Sequence, residues 1–160
     1  MPSSRRKIAA RGKILKLRAA WARARKTVVF TNGVFDLLHA GHVELLEKAR
    51  ALGDVLVVGV NADASVRRLH KGPERPINRL ADRMAVLAGL ACVDAVTFFA
   101  EDTPQVLLSR LRPDVLVKGA DYRIAQIAGR RHAARVARVR LKRGYSTTSI
   151  VRRIRGGACA

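Results

Sequence analysis

Aromatic side chains are scarce in this chain, 4% of its 160 residues, and they are not interleaved with the basic ones. Proteins that hold single-stranded nucleic acid stack bases on such interleaved rings, so the shortage weighs against that class. Long apolar runs are missing too. Residues 51–60 are broken by Gly53, Asp54 and Gly59, far short of the ~20 apolar residues that cross a bilayer. No apolar signal core follows the charged N-terminus, because Arg11, Lys13, Lys16 and Arg18 interrupt it, so a cytoplasmic location is expected. Cys92 and Cys159 lie far apart without metal or redox spacing and are expected to be reduced and structural. Carboxylates are few, 12 Asp and Glu against 32 Lys and Arg, which gives a net charge of +20. That excess asks for an anionic partner. It does not choose one, because the basic residues are spread from Arg5 to Arg155 in an arginine- and alanine-rich background of the kind that GC-rich coding can give without any function. Neither nucleic acid nor a membrane is the expected partner.

What is present is a rhythm of strands and helices. The chain is long enough for one core burying roughly two-thirds of the unfolded surface. Residues 5–26 carry Ile8, Ile14, Leu15, Leu17 and Trp21 among many Arg and Lys, the pattern of an amphipathic helix with a basic outer face. Residues 27–31, 54–61, 93–99 and 114–118 are short β-branched runs that suit buried parallel strands, with a weaker fifth at 137–141. Between them lie helical patterns at 43–52, closed by Gly53, at 78–90 with Asn78 as cap, and at 103–111 with Thr103 as cap. Residues 123–136 read as helical but broken at Gly129, and a last helix starts near Thr147. Alternation of this kind predicts an α/β fold, a Rossmann-like doubly wound parallel sheet of about five strands with helices on both faces. Its ligands belong beyond the carboxyl ends of the strands.

Residues 31–42, TNGVFDLLHAGH, follow the first strand into that position. His39 and His42 are three apart and share a face if a helix opens there, while Gly41 allows close backbone approach. Two imidazole donors at a helix N-terminus suit a phosphate. A transition metal on His39, His42 and Asp36 is the competing reading, weakened because no further Cys or His stands near. No Ser-His-Asp or Cys-His arrangement is evident.

His39-Ala-Gly41-His42 after Gly33-Val-Phe35-Asp36 resembles the HxGH signature of the nucleotidyltransferase superfamily. The likeness continues through GVNADASV (59–66), RPIN (75–78), Arg83, EDTP (101–104), RPDVLVKGADY (112–122) and GYSTTSI (144–150). This ordered set is similar to the D-glycero-β-D-manno-heptose 1-phosphate adenylyltransferase family and covers nearly all of residues 26–154. Two segments depart from it: Ala120 stands where the family commonly has glycine, and 130–143 is arginine-rich where an apolar strand is expected.

The resemblance implies transfer of AMP from ATP to a heptose 1-phosphate with release of pyrophosphate. It divides the chain into a basic helical extension, 1–25, and a single nucleotidyltransferase domain, 26–160. It assigns His39, His42, Lys71 and Arg83 to the phosphates as catalytic groups. Thr31, Asn32, Gly33, Phe35, Gly41, Lys118, Gly119, Asp121, Tyr122, Ser146, Thr147 and Thr148 fall to nucleotide binding. Asp36, Asn61 and Asp63 fall to the acceptor side. Mg²⁺ is expected on the ATP rather than in a protein cage. A separate heptose kinase and a homo-oligomer are implied partners. A CTP-dependent cytidylyltransferase for glycerol 3-phosphate is the alternative that the same signature leaves open.

Overall fold

In the computed structural model of the chain, five parallel strands form one sheet in the order β3-β2-β1-β4-β5. The structure describes residues 4–70, 72, 74–120, 123–140 and 144–156. The strands are β1 (Val28–Gly33), β2 (Val55–Asn61), β3 (Ala95–Phe99), β4 (Val115–Gly119) and β5 (Arg135–Val139). The helices are α1 (Arg11–Arg23), α2 (Ala40–Arg50), α3 (Asp63–Arg68), α4 (Leu80–Gly89), α5 (Gln105–Leu111) and α6 (Thr147–Arg155). Strand order reverses at β1, so the crevice between the ends of β1 and β4 is the topological switch point. This is the doubly wound fold expected from the alternation.

Successive strand residues feed opposite faces. Val29, Leu56, Val58 and Val60 pack with Leu46 and Ala49 of α2 and Met84 and Leu87 of α4. Val28, Phe30, Val55 and Val57 pack on the other face with Ile14 of α1 and Leu107, Leu108 and Leu111 of α5. Each such side chain, taken fully out of water, contributes about 1.5–3 kcal/mol before entropy.

An aspartate before each of three strands ties the sheet at its amino end. Thr27 N–H donates to Asp54 Oδ2 at 2.7 Å, Leu56 N–H to Asp94 Oδ2 at 2.8 Å, and Val28 N–H to Asp114 Oδ2 at 2.7 Å. Each aspartate's own N–H donates back to the same neighbour, to Thr27, Leu56 and Val28 carbonyls respectively. The charged acceptor makes these bonds stronger than ladder bonds between neutral groups.

Several boundaries differ from expectation for identifiable reasons. Gly53 does not end α2 as a left-handed cap; a Cβ there would lie 2.8 Å from the Thr27 carbonyl oxygen and 2.7 Å from Val29 Cγ2, so glycine is needed for close packing on β1. Asn78 does not cap α4: its Nδ2 donates to the Asp36 carbonyl at 2.7 Å, and the helix starts at Leu80. Pro104, not Thr103, precedes α5. The segment expected to be a broken helix forms two 3₁₀ turns, Ile124–Gln126 and Arg130–His132, separated by Gly129 at φ 79°. The fifth strand runs Arg135–Val139, two residues earlier than expected, and is a sheet edge. At an edge, Ala137 and Val139 suffice for one apolar face while Arg135 and Arg138 stay exposed.

The basic N-terminal segment is fastened to the sheet. Ile8 bridges Val96, Ala9 N–H donates to the Val96 carbonyl at 2.8 Å, and Ile14 is fully buried. Arg11 pairs with Glu101 at 2.8 Å and Arg18 with Asp114 at 3.3 Å. The segment therefore shields the open edge of β3.

Replacement of Asp114 by alanine is expected to lower the unfolding free energy by about 1–2 kcal/mol, since it strands the Val28 N–H and frees Arg18. Urea unfolding measures it; a midpoint equal to that of the unmodified chain would refute the clamp.

Candidate active site

Beyond the carboxyl end of β1 the chain turns sharply, with Phe35 at φ 49°, a conformation that costs a bulky residue energy and persists only when its surroundings impose it. Asp36 supplies the imposition. Its carboxylate, 4% exposed, accepts Ile77 N–H at 2.9 Å, Asn78 N–H at 2.9 Å and Arg75 Nη1 at 2.8 Å. Burial pushes its pKa up, and these bonds together with the Arg75 charge override that and leave it below the ordinary value. Asp36, expected on the acceptor side, thus has its oxygens engaged in holding the loop.

Arg83 completes the scaffold. Its fully buried guanidinium donates from Nε to the Asn78 carbonyl at 3.0 Å, from Nη1 to the Val34 carbonyl at 2.6 Å and from Nη2 to Asp63 Oδ1 at 2.6 Å. The structure does not bring Arg83 or Asp63 to the main cavity; they bind each other and join three elements behind it. Thr31 is similarly committed, its hydroxyl donating to the Val117 carbonyl across to β4 at 3.1 Å.

In front of the scaffold lies a cavity of about 310 Å³ where two helix N-termini meet. One is α2, with His39 at its cap and Gly41 and His42 in its first turn; the other is α6, with Ser146 at its cap followed by Thr147 and Thr148. Neither first turn holds an acidic residue, so both positive helix ends are uncancelled locally. The Ser146 hydroxyl accepts Ser149 N–H at 3.0 Å, which squares the start of α6.

The imidazoles of His39 and His42 stack, 3.8 Å between centroids and 17° between planes, and Phe35 meets His42 edge-on at 5.2 Å. Burial, then repulsion from the adjacent ring of His39, drives the His42 pKa from 6.5 down to about 4; the Leu37 carbonyl offsets this only in part. Burial lowers His39 as well. Neutral imidazoles therefore line the cavity at pH 7, each with one N–H and one acceptor nitrogen. A Cβ on Gly41 would lie 3.2 Å from both His39 Nδ1 and Tyr145 Cβ, so the glycine admits this packing as well as lining the cavity.

Toward β4 the crevice continues into two smaller lobes. Thr31, Asn32, Gly33, Phe35, His42, Lys118 and Gly119 line one; Asn61 joins Asn32 and Lys118 in the other, with Asp102, Thr103 and Gln126. Lys118 Nζ donates to the Asn32 carbonyl at 3.3 Å, while Asn32 Oδ1 is buried without a hydrogen-bond partner among the described residues. Lys71, Asp121 and Tyr122 lie outside the described residues. Arg75 and Tyr145 line the main cavity; they fall within the RPIN and GYSTTSI stretches, but sequence reasoning gave neither a site role. Arg75 stood in a Pro-flanked loop as one of 32 basic residues, with nothing local to mark it as the buried one.

No three His, Cys, Asp or Glu among the described residues are grouped to hold a metal. Asp36 is paired with Arg75 and Asp63 with Arg83.

Residues 30–153 match the cytidylyltransferase-like family. The chain is 59% identical over 140 residues to the bifunctional protein HldE of Magnetococcus marinus, an overlap of 85% of this chain and 28% of that protein. It is 48% identical over 153 residues to the bifunctional protein HldE of Wolinella succinogenes, covering 96% and 32%. The chain thus spans less than a third of the length of these curated relatives. Among solved structures, the lipopolysaccharide core biosynthesis protein of Thermoplasma volcanium superposes with a TM-score of 0.66 at 28% identity, over 73% of this chain and 98% of that one. A pantoate-beta-alanine ligase from Francisella tularensis, at TM-score 0.52 and 18% identity over 70% of this chain and 56% of that one, shares the fold.

Two outcomes follow from this geometry. Because His42 binds its proton less tightly folded than unfolded, stability is full above about pH 6.5 and falls as pH drops toward about 4. Asp36 acts in a separate window below 3.8, where its lowered pKa loses stability by protonation. Urea unfolding from pH 4 to 7 should show the slope, and His42→Asn should flatten it; an unchanged slope would refute the assignment. Arg83→Lys keeps the charge but loses the fork, so it should lower the urea midpoint along with activity. A residue acting on phosphate alone would leave unfolding unmoved.

Proposed function

The chain belongs to the cytidylyltransferase-like family, and on that premise we propose that it transfers AMP from ATP to D-glycero-β-D-manno-heptose 1-phosphate, giving ADP-heptose and pyrophosphate. The observation that carries the reading is the convergence of two helix N-termini and two neutral imidazoles on one cavity at the switch point of the sheet. Such a cavity suits a chain of phosphates: it offers oriented donors and partial positive charge without a covalent nucleophile.

In the proposed reaction a phosphate oxygen of the sugar 1-phosphate attacks the α-phosphorus of ATP while the bond to the bridging oxygen of the departing pyrophosphate breaks. Both reactants are anions, so the protein's work is positioning and charge compensation. His39 and His42 are assigned to the α-phosphate and the leaving group, to which their rings would donate. Since the imidazoles are neutral in the free protein, an arriving triphosphate raises their proton affinity, and positive charge grows where negative charge develops. Ser146, Thr147, Thr148 and the open amides of α6 hold the remaining phosphate oxygens. Mg²⁺ carried by ATP would supply further charge neutralisation. Lys118, Asn61 and the lobes beside β4 take the rest of the substrates. Lys71 is assigned to the phosphates by likeness of sequence alone. The reaction belongs in the cytoplasm, with the sugar 1-phosphate supplied by a kinase reaction, and the acting form is a homo-oligomer.

Pyrophosphate release with ATP and heptose 1-phosphate, set against CTP and glycerol 3-phosphate, tests the reading. Faster turnover with the CTP pair would replace it with the cytidylyltransferase alternative. His42→Ala is expected to lower kcat/KM about 10²- to 10³-fold, the usual loss for one well-placed donor to developing charge.

A further inference from the structure

A second pocket, of about 400 Å³, opens between Glu74 and Arg75 and the flank of α6. It shares Arg75 and Thr148 with the histidine cavity, so the two are consecutive stations of one trough. Thr148, Val151, Arg152 and Arg155 line it at the helical spacing that puts them on a single stripe, running away from the N-terminus of α6. Arg153 lies off that stripe. Three guanidinium groups therefore face one carboxylate in this pocket, Arg75, Arg152 and Arg155 against Glu74.

The charges are not mutually satisfied. Arg75, 7% exposed, gives Nη1 to Asp36, but its buried Nε has no hydrogen-bond partner. Glu74 Oε1 stands 3.9 Å from that Nε, and Glu74 Oε2 stands 3.6 Å from Arg155 Nη2, both too long for hydrogen bonds. A buried donor without an acceptor is uncommon enough to ask for a ligand. The carboxylate sits between two guanidinium groups like a loosely held internal anion, one that a stronger anion displaces.

We propose that this pocket is an outer phosphate subsite, which takes pyrophosphate as it leaves the histidine pair, with the Glu74 carboxylate moving aside to admit it. The inference rests on nucleotidyl transfer at the histidines, since that reaction makes the pyrophosphate. The planar guanidinium forks of Arg152 and Arg155 suit two adjacent phosphate groups, and Arg75 spans the boundary between the stations.

Calorimetric titration of the whole chain with magnesium pyrophosphate, and separately with α,β-methylene ATP, tests this. R152A/R155A is expected to weaken pyrophosphate about tenfold, the loss of two exposed charge-assisted contacts, and the ATP analogue less than about twofold. R153A, a single removal of nearby charge, should change neither. E74Q should tighten pyrophosphate by about twofold or more, because it removes the competing anion. Unchanged pyrophosphate affinity in R152A/R155A, an equal loss for the ATP analogue, or weaker binding in E74Q would each overturn the subsite. These are binding measurements, so they stay separate from the choice of substrate: a preference for CTP over ATP would refute adenylyl transfer while leaving the subsite standing, because either nucleotide releases the same pyrophosphate.

Discussion

The buried carboxylate of Asp36 is the constraint on which the site depends. A carboxylate out of water is tolerated only when its oxygens are engaged, and Asp36 meets that need with Arg75 and the amides of Ile77 and Asn78. One charge thus joins the loop after β1 to a segment some 40 residues later. The joint holds Phe35 in its left-handed turn and aims the start of α2 at the crevice. Arg83 repeats the device one layer behind, linking Val34, Asn78 and Asp63. Both ion pairs are in places where breaking one partner strands the other, which makes the loop geometry rigid rather than merely stable.

Rigidity would serve the proposed chemistry, because phosphate transfer asks for fixed donors. Histidines held neutral by burial and by each other cannot over-bind the resting triphosphate with full charge. In the proposed transfer they would gain charge only as the phosphates bring it, so the free site carries no permanent charge on these rings. The convergence of α2 and α6 adds positive potential through dipoles that need no proton and lose no side-chain entropy. Most basic residues, including Arg5, Arg23, Arg110 and Arg153, lie on the outer surface away from the crevice.

Sequence patterns made the sheet legible because apolar runs bounded by glycine, proline and aspartate leave few other readings, and they placed the histidine pair correctly at the end of β1. What they could not carry was the second use of a residue. Asn78 looks like a helix cap and is a strut to Asp36; Gly53 looks like a helix terminator and is a space-saver against Thr27. Asp36, Asp63 and Arg83 bear charges that fit a substrate as well as an internal partner, and only the fold shows Asp36 on Arg75 and Asp63 on Arg83. Arg75 failed to stand out for the opposite reason: in a chain this basic, one more arginine carries no signal until its burial is known. The edge strand β5 escaped its boundaries because an edge needs apolar residues on fewer positions than a central strand does.

In the proposed reaction, neutral imidazoles at the centre with the cations Arg152 and Arg155 farther out would suit differential binding. Permanent charge at the reacting phosphorus would stabilise bound substrate and transition state alike and add little to the rate. Placed one station away, on Arg152 and Arg155, the same charge would act, in the proposed subsite, on an anion already separated from the nucleotide. Arg75 can join the two stations because its guanidinium is divided, one nitrogen anchored on Asp36 and another left without a partner. The group that fixes the loop is thereby also the group that looks outward, so the same buried pair sets the shape of the inner cavity and the entrance to the outer one.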